Sequence, residues 1–151
     1  MARYRICRSF VVESGHMLSK HPEACRYPHG HTRRIEVVVS GEGLDAHDMV
    51  CDFKALKMAL EHQIEALDHA MALNSKDPLL ASMQGVYPQS LVVFENEDPT
   101  TEVLARWLFQ TVDRILKEGF SEGHYAIPAG AVTLERVRVW ETPNSWAEYG
   151  L

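Results

Sequence analysis

Two runs of alternating apolar residues flank a stretch crowded with histidine, proline and glycine. That arrangement constrains the fold of the chain more than any other feature. Residues 3–13 (RYRICRSFVVE) place Tyr4, Ile6, Phe10 and Val12 on one face with period two, broken at Arg8. Residues 33–41 (RRIEVVVSG) place Ile35, Val37 and Val39 on one face, with Glu36 and Ser40 on the other. Both read as strands. The intervening HMLSKHPEACRYPHGH reads as a loop, and loops carried by a rigid sheet are where chemistry tends to be placed. Of eight histidines in the chain, four (His16, His21, His29 and His31) lie in or beside this loop.

Further along, Asp52 stands as N-cap before FKALKMALEHQIEAL, where Phe53, Leu56, Leu60, Ile64 and Leu67 recur at helical spacing. A second helix starts near DPTTE, with Asp98 or Thr100 as cap and Pro99 in the first turn. It carries Leu104, Trp107, Leu108, Val112 and Ile115 and ends before Gly119. Residues 90–96 read as a short extra strand or an extended segment, and 131–141 (AVTLERVRVWE) are the last strand read from the pattern. The order is β-β-α-α-β with an added strand, an α+β domain without βαβ repeats. A length of 151 residues suits one domain, 1–151, with no room for a second core.

Charge and cysteine content narrow the function classes. With 15 basic and 21 acidic residues the net charge is -6, which argues against a nucleic-acid partner but leaves room for a local basic pocket. Three cysteines (Cys7, Cys25, Cys51) are too few for a disulfide scaffold, so free thiols in a reducing compartment are expected. No secretory leader pattern and no membrane-spanning apolar run is read, which predicts a soluble cytoplasmic protein without a membrane partner.

His29-Gly30-His31 points both imidazoles to one side if it enters the second strand. His16 closes the first strand, and antiparallel pairing would bring it to the same spot. Three neutral imidazoles with one vacant position make a catalytic type of zinc site, whereas Cys25 as fourth ligand would make it structural. Asp68-His69, at the end of the first helix, pairs a carboxylate with an imidazole in a way that suits proton transfer. Glu141, after the apolar run VRVW, can accept two parallel hydrogen bonds from an amidine-like ring edge. His21, His47, His62 and His124 need no special role, and Cys7 and Cys51 read as small buried hydrophobes.

Taken together, these residues resemble the 6-pyruvoyl-tetrahydropterin synthase/6-carboxytetrahydropterin synthase family. The matching motifs are His16, Cys25-Arg-Tyr-Pro-His29-Gly-His31, Val50-Cys-Asp52-Phe-x-x-Leu56-Lys57, Leu67-Asp68-His69, Pro99-Thr-Thr-Glu102 and Val139-Trp-Glu141-Thr-Pro-x-Ser-Trp. The resemblance implies a tunnelling fold (T-fold): an antiparallel sheet with two helices on one face, β-β-α-α-β-β, closing into oligomeric barrels as a dimer of trimers. It implies Zn2+ on His16, His29 and His31, with Cys25 as general base and Asp68 and His69 as proton relay. Glu141 would anchor the pterin, helped by Thr100, Thr101 and Glu102. Active sites would lie between subunits, so Cys25 and His69 need not meet within one chain.

The implied activity is a zinc-dependent lyase acting on a pterin triphosphate. It would convert 7,8-dihydroneopterin triphosphate to 6-carboxy-5,6,7,8-tetrahydropterin, releasing triphosphate and acetaldehyde, on the route to 7-deazapurines such as queuosine. The Cys-x-x-x-His-Gly-His spacing resembles the bacterial carboxy branch. The alternatives are the pyruvoyl product, another pterin substrate, or a non-catalytic zinc- or pterin-binding paralogue. Lys20, Arg26, Arg33 and Arg34 are candidates to attract the triphosphate. The stretch between Asn74 and Pro99 is longer than in compact bacterial members.

Overall fold

The structure is a computed structural model that describes residues 2–151. Both N-terminal strands form and are longer than their apolar cores: β1 spans Tyr4–His16 and β2 spans His29–Gly41. They pair antiparallel from Tyr4↔Gly41 to His16↔His29, so the His-Gly-His motif lies within β2 rather than in the loop. Along β1 the even positions turn inward and the odd ones outward. Val12, Ser14 and His16 are buried while Arg5, Cys7, Ser9, Val11 and Glu13 are exposed. Cys7 therefore departs from the expectation of burial, because it sits in the outward phase of the strand. Tyr4, at the free end, is exposed as well.

Asp52 caps α1 (Phe53–Glu65), its carboxylate accepting from the Lys54 and Ala55 N–H groups. A turn leads from α1 into β3 (Ala70–Asn74), which is followed by α2 (Leu80–Val86) and β4 (Leu91–Phe94). The longer stretch after Asn74 is thus folded, and its strand is the one expected within 90–96. Thr100 caps α3 (Thr101–Glu118) by accepting from Val103 N–H, which places Pro99 before the cap rather than in the first turn. The helix stops at Gly119, whose φ of 86° is left-handed and whose Cβ would come within 2.8 Å of Ala129 N. A small hairpin, β5 (Phe120–Glu122) with β6 (Tyr125–Ile127), precedes β7 (Thr133–Thr142) and β8 (Ser145–Gly150).

The main sheet has the order β4-β3-β1-β2-β7-β8. Its β1–β2, β2–β7 and β7–β8 pairs are antiparallel, as expected, but β3 runs parallel to β1 and β4 parallel to β3. The sheet is therefore mixed, and there are three α-helices rather than two. The parallel β3–β4 pair is joined through α2, the crossover that such a pair requires. Gly15 makes the edge of β1 accessible to β3: a Cβ there would stand 2.9 Å from Met71 Cε and 3.3 Å from Ala70 O.

The inward residues Val12, Ile35, Val37, Val39, Val137 and Val139 form one core with the buried stripes of α1 and α3. Leu56, Leu60, Leu104 and Leu108 are all fully buried in it. Truncating one such leucine to alanine costs about 2–5 kcal/mol. No helix among the described residues is long and apolar enough to cross a membrane.

Candidate metal centre and adjoining cleft

The strand register assembles the triad. His16 and His29 are directly opposed at the open end of the β1–β2 pair, and His31 lies two residues further along the same face. Their ligand atoms all fall within 4.8 Å of one another. Ring centroids are 4.4 Å apart for His16 and His29, and 5.1 Å for each pair with His31.

Backbone carbonyls fix two of the rings. His16 Nδ1–H donates to Pro99 O at 2.8 Å, and His29 Nδ1–H donates to Tyr27 O at 2.8 Å. Each ring thereby has its Nε2 lone pair turned away from the carbonyl, the arrangement found around metal-ligating histidines, although Arg33 Nη2 stands 3.5 Å from His16 Nε2. His31 Nε2 stands 3.2 Å from His16 Nε2. Burial, with Arg33 and the neighbouring rings adding to it, lowers the His16 pKa to about 4 despite the opposing bond to Pro99. Burial lowers His31 too, although Glu141 opposes. Both rings are thereby kept in the neutral form that binds metals. Three convergent imidazoles fit zinc with one position left open. Cys25 is not among the clustered ligand atoms, so the alternative of a closed His3Cys site is not realised.

Beside the triad lies a cleft of about 510 Å³. Cys25, from a 3-10 turn in the loop, shares it with Thr100, Thr101 and Glu102 at the start of α3 and with Glu141 at the end of β7. His21 lines it as well and accepts Glu23 N–H at 3.0 Å. The loop is braced in two ways. Leu18 N–H donates to Cys25 O at 3.0 Å across its base. The buried Asp98 carboxylate accepts from Ser19 Oγ at 2.6 Å, Lys20 N at 2.8 Å and Asn74 Nδ2 at 3.0 Å. Burial pushes the Asp98 pKa up, but these hydrogen bonds outweigh it and hold the carboxyl below its usual value.

Arg33 corrects a sequence expectation. It is fully buried and is not a surface cation for triphosphate, because it continues the inward phase of His29 and His31. Its Nη1 donates to Thr101 Oγ1 at 3.1 Å, and that hydroxyl donates to Glu141 Oε1 at 3.1 Å. Burial lowers the guanidinium to about 10, with Glu141 opposing, so it remains cationic near neutrality. Arg34 points to the other face, where it stacks 4.6 Å from the Trp140 ring and pairs with Glu36. Lys20 and Arg26 remain exposed on the loop.

Asp68 and His69 lie in the turn after α1, past its last residue, and not in the cleft. Asp68 Oδ1 accepts Glu13 N–H at 2.8 Å and its Oδ2 accepts His69 Nδ1–H at 3.1 Å. The His69 side chain is 80% exposed. One chain thus brings together the triad, Cys25, Thr100–Glu102 and Glu141, and leaves Asp68-His69 apart. The structural parts of Arg33, Asp98 and the two carbonyls were not read from sequence. An aspartate just before Pro-Thr-Thr-Glu and an arginine in phase with His-x-His were the available signals.

A family model described as 6-pyruvoyl tetrahydropterin synthase matches residues 5–150. The chain is 30% identical to the 6-carboxy-5,6,7,8-tetrahydropterin synthase of Aquifex aeolicus, over 97% of this chain and 98% of that one. It is 26% identical to the enzyme of the same name from Haemophilus influenzae, again over 97% and 98%. Among solved structures, an uncharacterized protein from Wolinella succinogenes superposes with a TM-score of 0.77 at 21% identity, covering 99% of each chain. A catalytic-residue mutant of Plasmodium vivax 6-pyruvoyltetrahydropterin synthase superposes at 0.71 and 16% identity, covering 100% of each. Both structural likenesses place the chain in the same α+β T-fold.

Proposed function

The chain belongs to the 6-pyruvoyl tetrahydropterin synthase family, and from that premise we propose that it is a zinc-dependent lyase producing 6-carboxy-5,6,7,8-tetrahydropterin. Its substrates in this reading are 7,8-dihydroneopterin triphosphate and one water, and triphosphate and acetaldehyde leave. The product would serve 7-deazapurine synthesis, as in the queuosine pathway. The observation that carries the reading is the junction of a convergent three-histidine cluster with a cleft holding Cys25 and Glu141.

Bound by His16, His29 and His31, zinc would supply Lewis acidity toward the hydroxyls of the substrate side chain and so acidify the neighbouring C–H. The protein's own groups do the rest. Cys25 Sγ accepts the proton from the side-chain carbon. Glu141 accepts paired hydrogen bonds from the amidine-like edge of the pterin. Thr101 orients that carboxylate through its hydroxyl, and Thr100 and Glu102 complete the wall on which the ring rests. Asp68 and His69 form the relay that returns a proton to the substrate. Their exposure and their distance from the cleft suit a site completed by a neighbouring subunit, in a dimer of trimers.

The test is mass analysis of products from 7,8-dihydroneopterin triphosphate, with zinc measured on the same sample. Triphosphate, acetaldehyde and the 6-carboxy pterin are expected. Triphosphate without acetaldehyde would instead mark the pyruvoyl product, and an unconsumed substrate with zinc bound would mark a binding protein.

A further inference from the structure

Glu141 stands close to the triad for a residue whose task is to hold an organic ring. Its Oε1 lies 3.7 Å from His31 Nε2 and 3.9 Å from His16 Nε2. Ligand atoms around tetrahedral zinc, with bonds of roughly 2.0–2.1 Å, stand about 3.3 Å apart. A modest side-chain rotation would therefore make this oxygen a fourth ligand. Such a His3Glu set is closed and structural in type, with no position left for a substrate oxygen.

The same oxygen, Oε1, is the one that accepts the Thr101 hydroxyl at 3.1 Å. The direction of that bond is set from behind. Arg33 can only donate, and its Nη1 does so to Thr101 Oγ1 at 3.1 Å. With its oxygen accepting from Arg33, Thr101 has its single proton to offer to Glu141. Neither anchor is mobile: Arg33 is 0% exposed and Thr101, in the first turn of α3, is 7% exposed. The buried guanidinium also draws the carboxylate's charge toward itself, while its Nη2 stands 3.3 Å from His16 Nδ1 and 3.5 Å from His16 Nε2.

We propose that Thr101 and Arg33 are positioning residues that tether Glu141 away from the metal, keeping one coordination position open and the carboxylate available to the pterin. The inference rests on the reading of the triad as a zinc site. It makes a directional claim. A hydrogen bond that only stabilised the fold would loosen the site when lost and weaken zinc binding, whereas a tether, once cut, strengthens it.

The experiment is zinc affinity by chelator competition on wild type, Thr101→Val, Thr101→Ser and the double variant Thr101→Val/Glu141→Gln, with folding followed by circular dichroism. Thr101→Val should bind zinc about tenfold tighter or more, the scale on which outer-shell partners act, and KM for the pterin should rise. Thr101→Ser keeps the hydroxyl and should match wild type, and Glu141→Gln should remove the gain. Should Thr101→Val fail to fold, Thr101→Ala carries the same comparison. Unchanged or weaker zinc binding in the folded variant, or a gain that survives Glu141→Gln, overturns the tether alone. A wild-type protein that binds no zinc overturns the metal reading as well.

Discussion

His16 and His69 are both pinned at Nδ1, yet by different oxygens in opposite surroundings. His16 donates to a neutral carbonyl inside the core, and its ring is 0% exposed; His69 donates to a carboxylate at the surface, and its ring is 80% exposed. A carbonyl partner and burial together select a neutral ring with one free lone pair, which is what a metal takes. A carboxylate partner and open solvent suit a ring that passes a proton on. The lesson is that the same dipeptide-scale chemistry is given two jobs by where the strand or turn delivers it. In the proposed reaction, one job is complete within the chain, and the other waits at the surface for a second copy.

The comparison can be broken most forcefully at the buried end. His29→Ala should reduce zinc content from about one per chain to near zero and abolish turnover, because a lost ligand exceeds the roughly 10–100-fold effect of an outer-shell partner. Metal analysis with an activity assay checks it. His69→Ala should leave zinc content unchanged while kcat falls about 10²–10⁴-fold. If the site spans subunits, refolding His69→Ala together with Cys25→Ala should restore about a quarter of wild-type activity in mixed oligomers. A mixture as inactive as its parts would place the relay elsewhere.

The smallest effect separates the two acids. Asp98→Asn, in the buried loop clamp, should cost about 1–3 kcal/mol by denaturant titration, while Asp68→Asn should leave stability nearly unchanged. Because the Asp98 pKa is lowered in the folded state, its contribution is full above the ordinary value of 3.8 and is lost as pH falls through the lower folded value. Melting curves in acid should therefore drop less steeply for Asp98→Asn than for wild type.

The triad was legible because its logic is local. Alternation in β2 puts His29 and His31 on one face, and a strand that ends at His16 needs only antiparallel pairing to join them. The helix cap at Asp52 was legible for the same reason, and that at Thr100 as one of two candidates with Asp98, being bonds to N–H groups two or three residues away. β3 and β8 were not read. AMALN and SWAEYG are short, lack a β-branched run, and owe their strand state to the edges they meet. The parallel direction of β3, the burial of Arg33 and the clamp by Asp98 each join segments far apart in the chain, where no spacing rule reaches. Cys7 was misread because its phase in β1, rather than its residue type, decides its exposure.

The direct pairing of His16 with His29 has one more consequence. The twelve residues between them leave the sheet and return to it at one point, so the candidate ligands sit at the neck of a closed loop whose interior carries Cys25. Closing a flexible loop costs only about 0.6 kcal/mol more for each doubling of its length. Between the Asp98 clamp at Ser19 and Lys20 and the Leu18–Cys25 bond, residues can be added to or taken from that span while the neck stays in register. The fold thus separates the part of the site that cannot vary from the part through which new substrates can be tried.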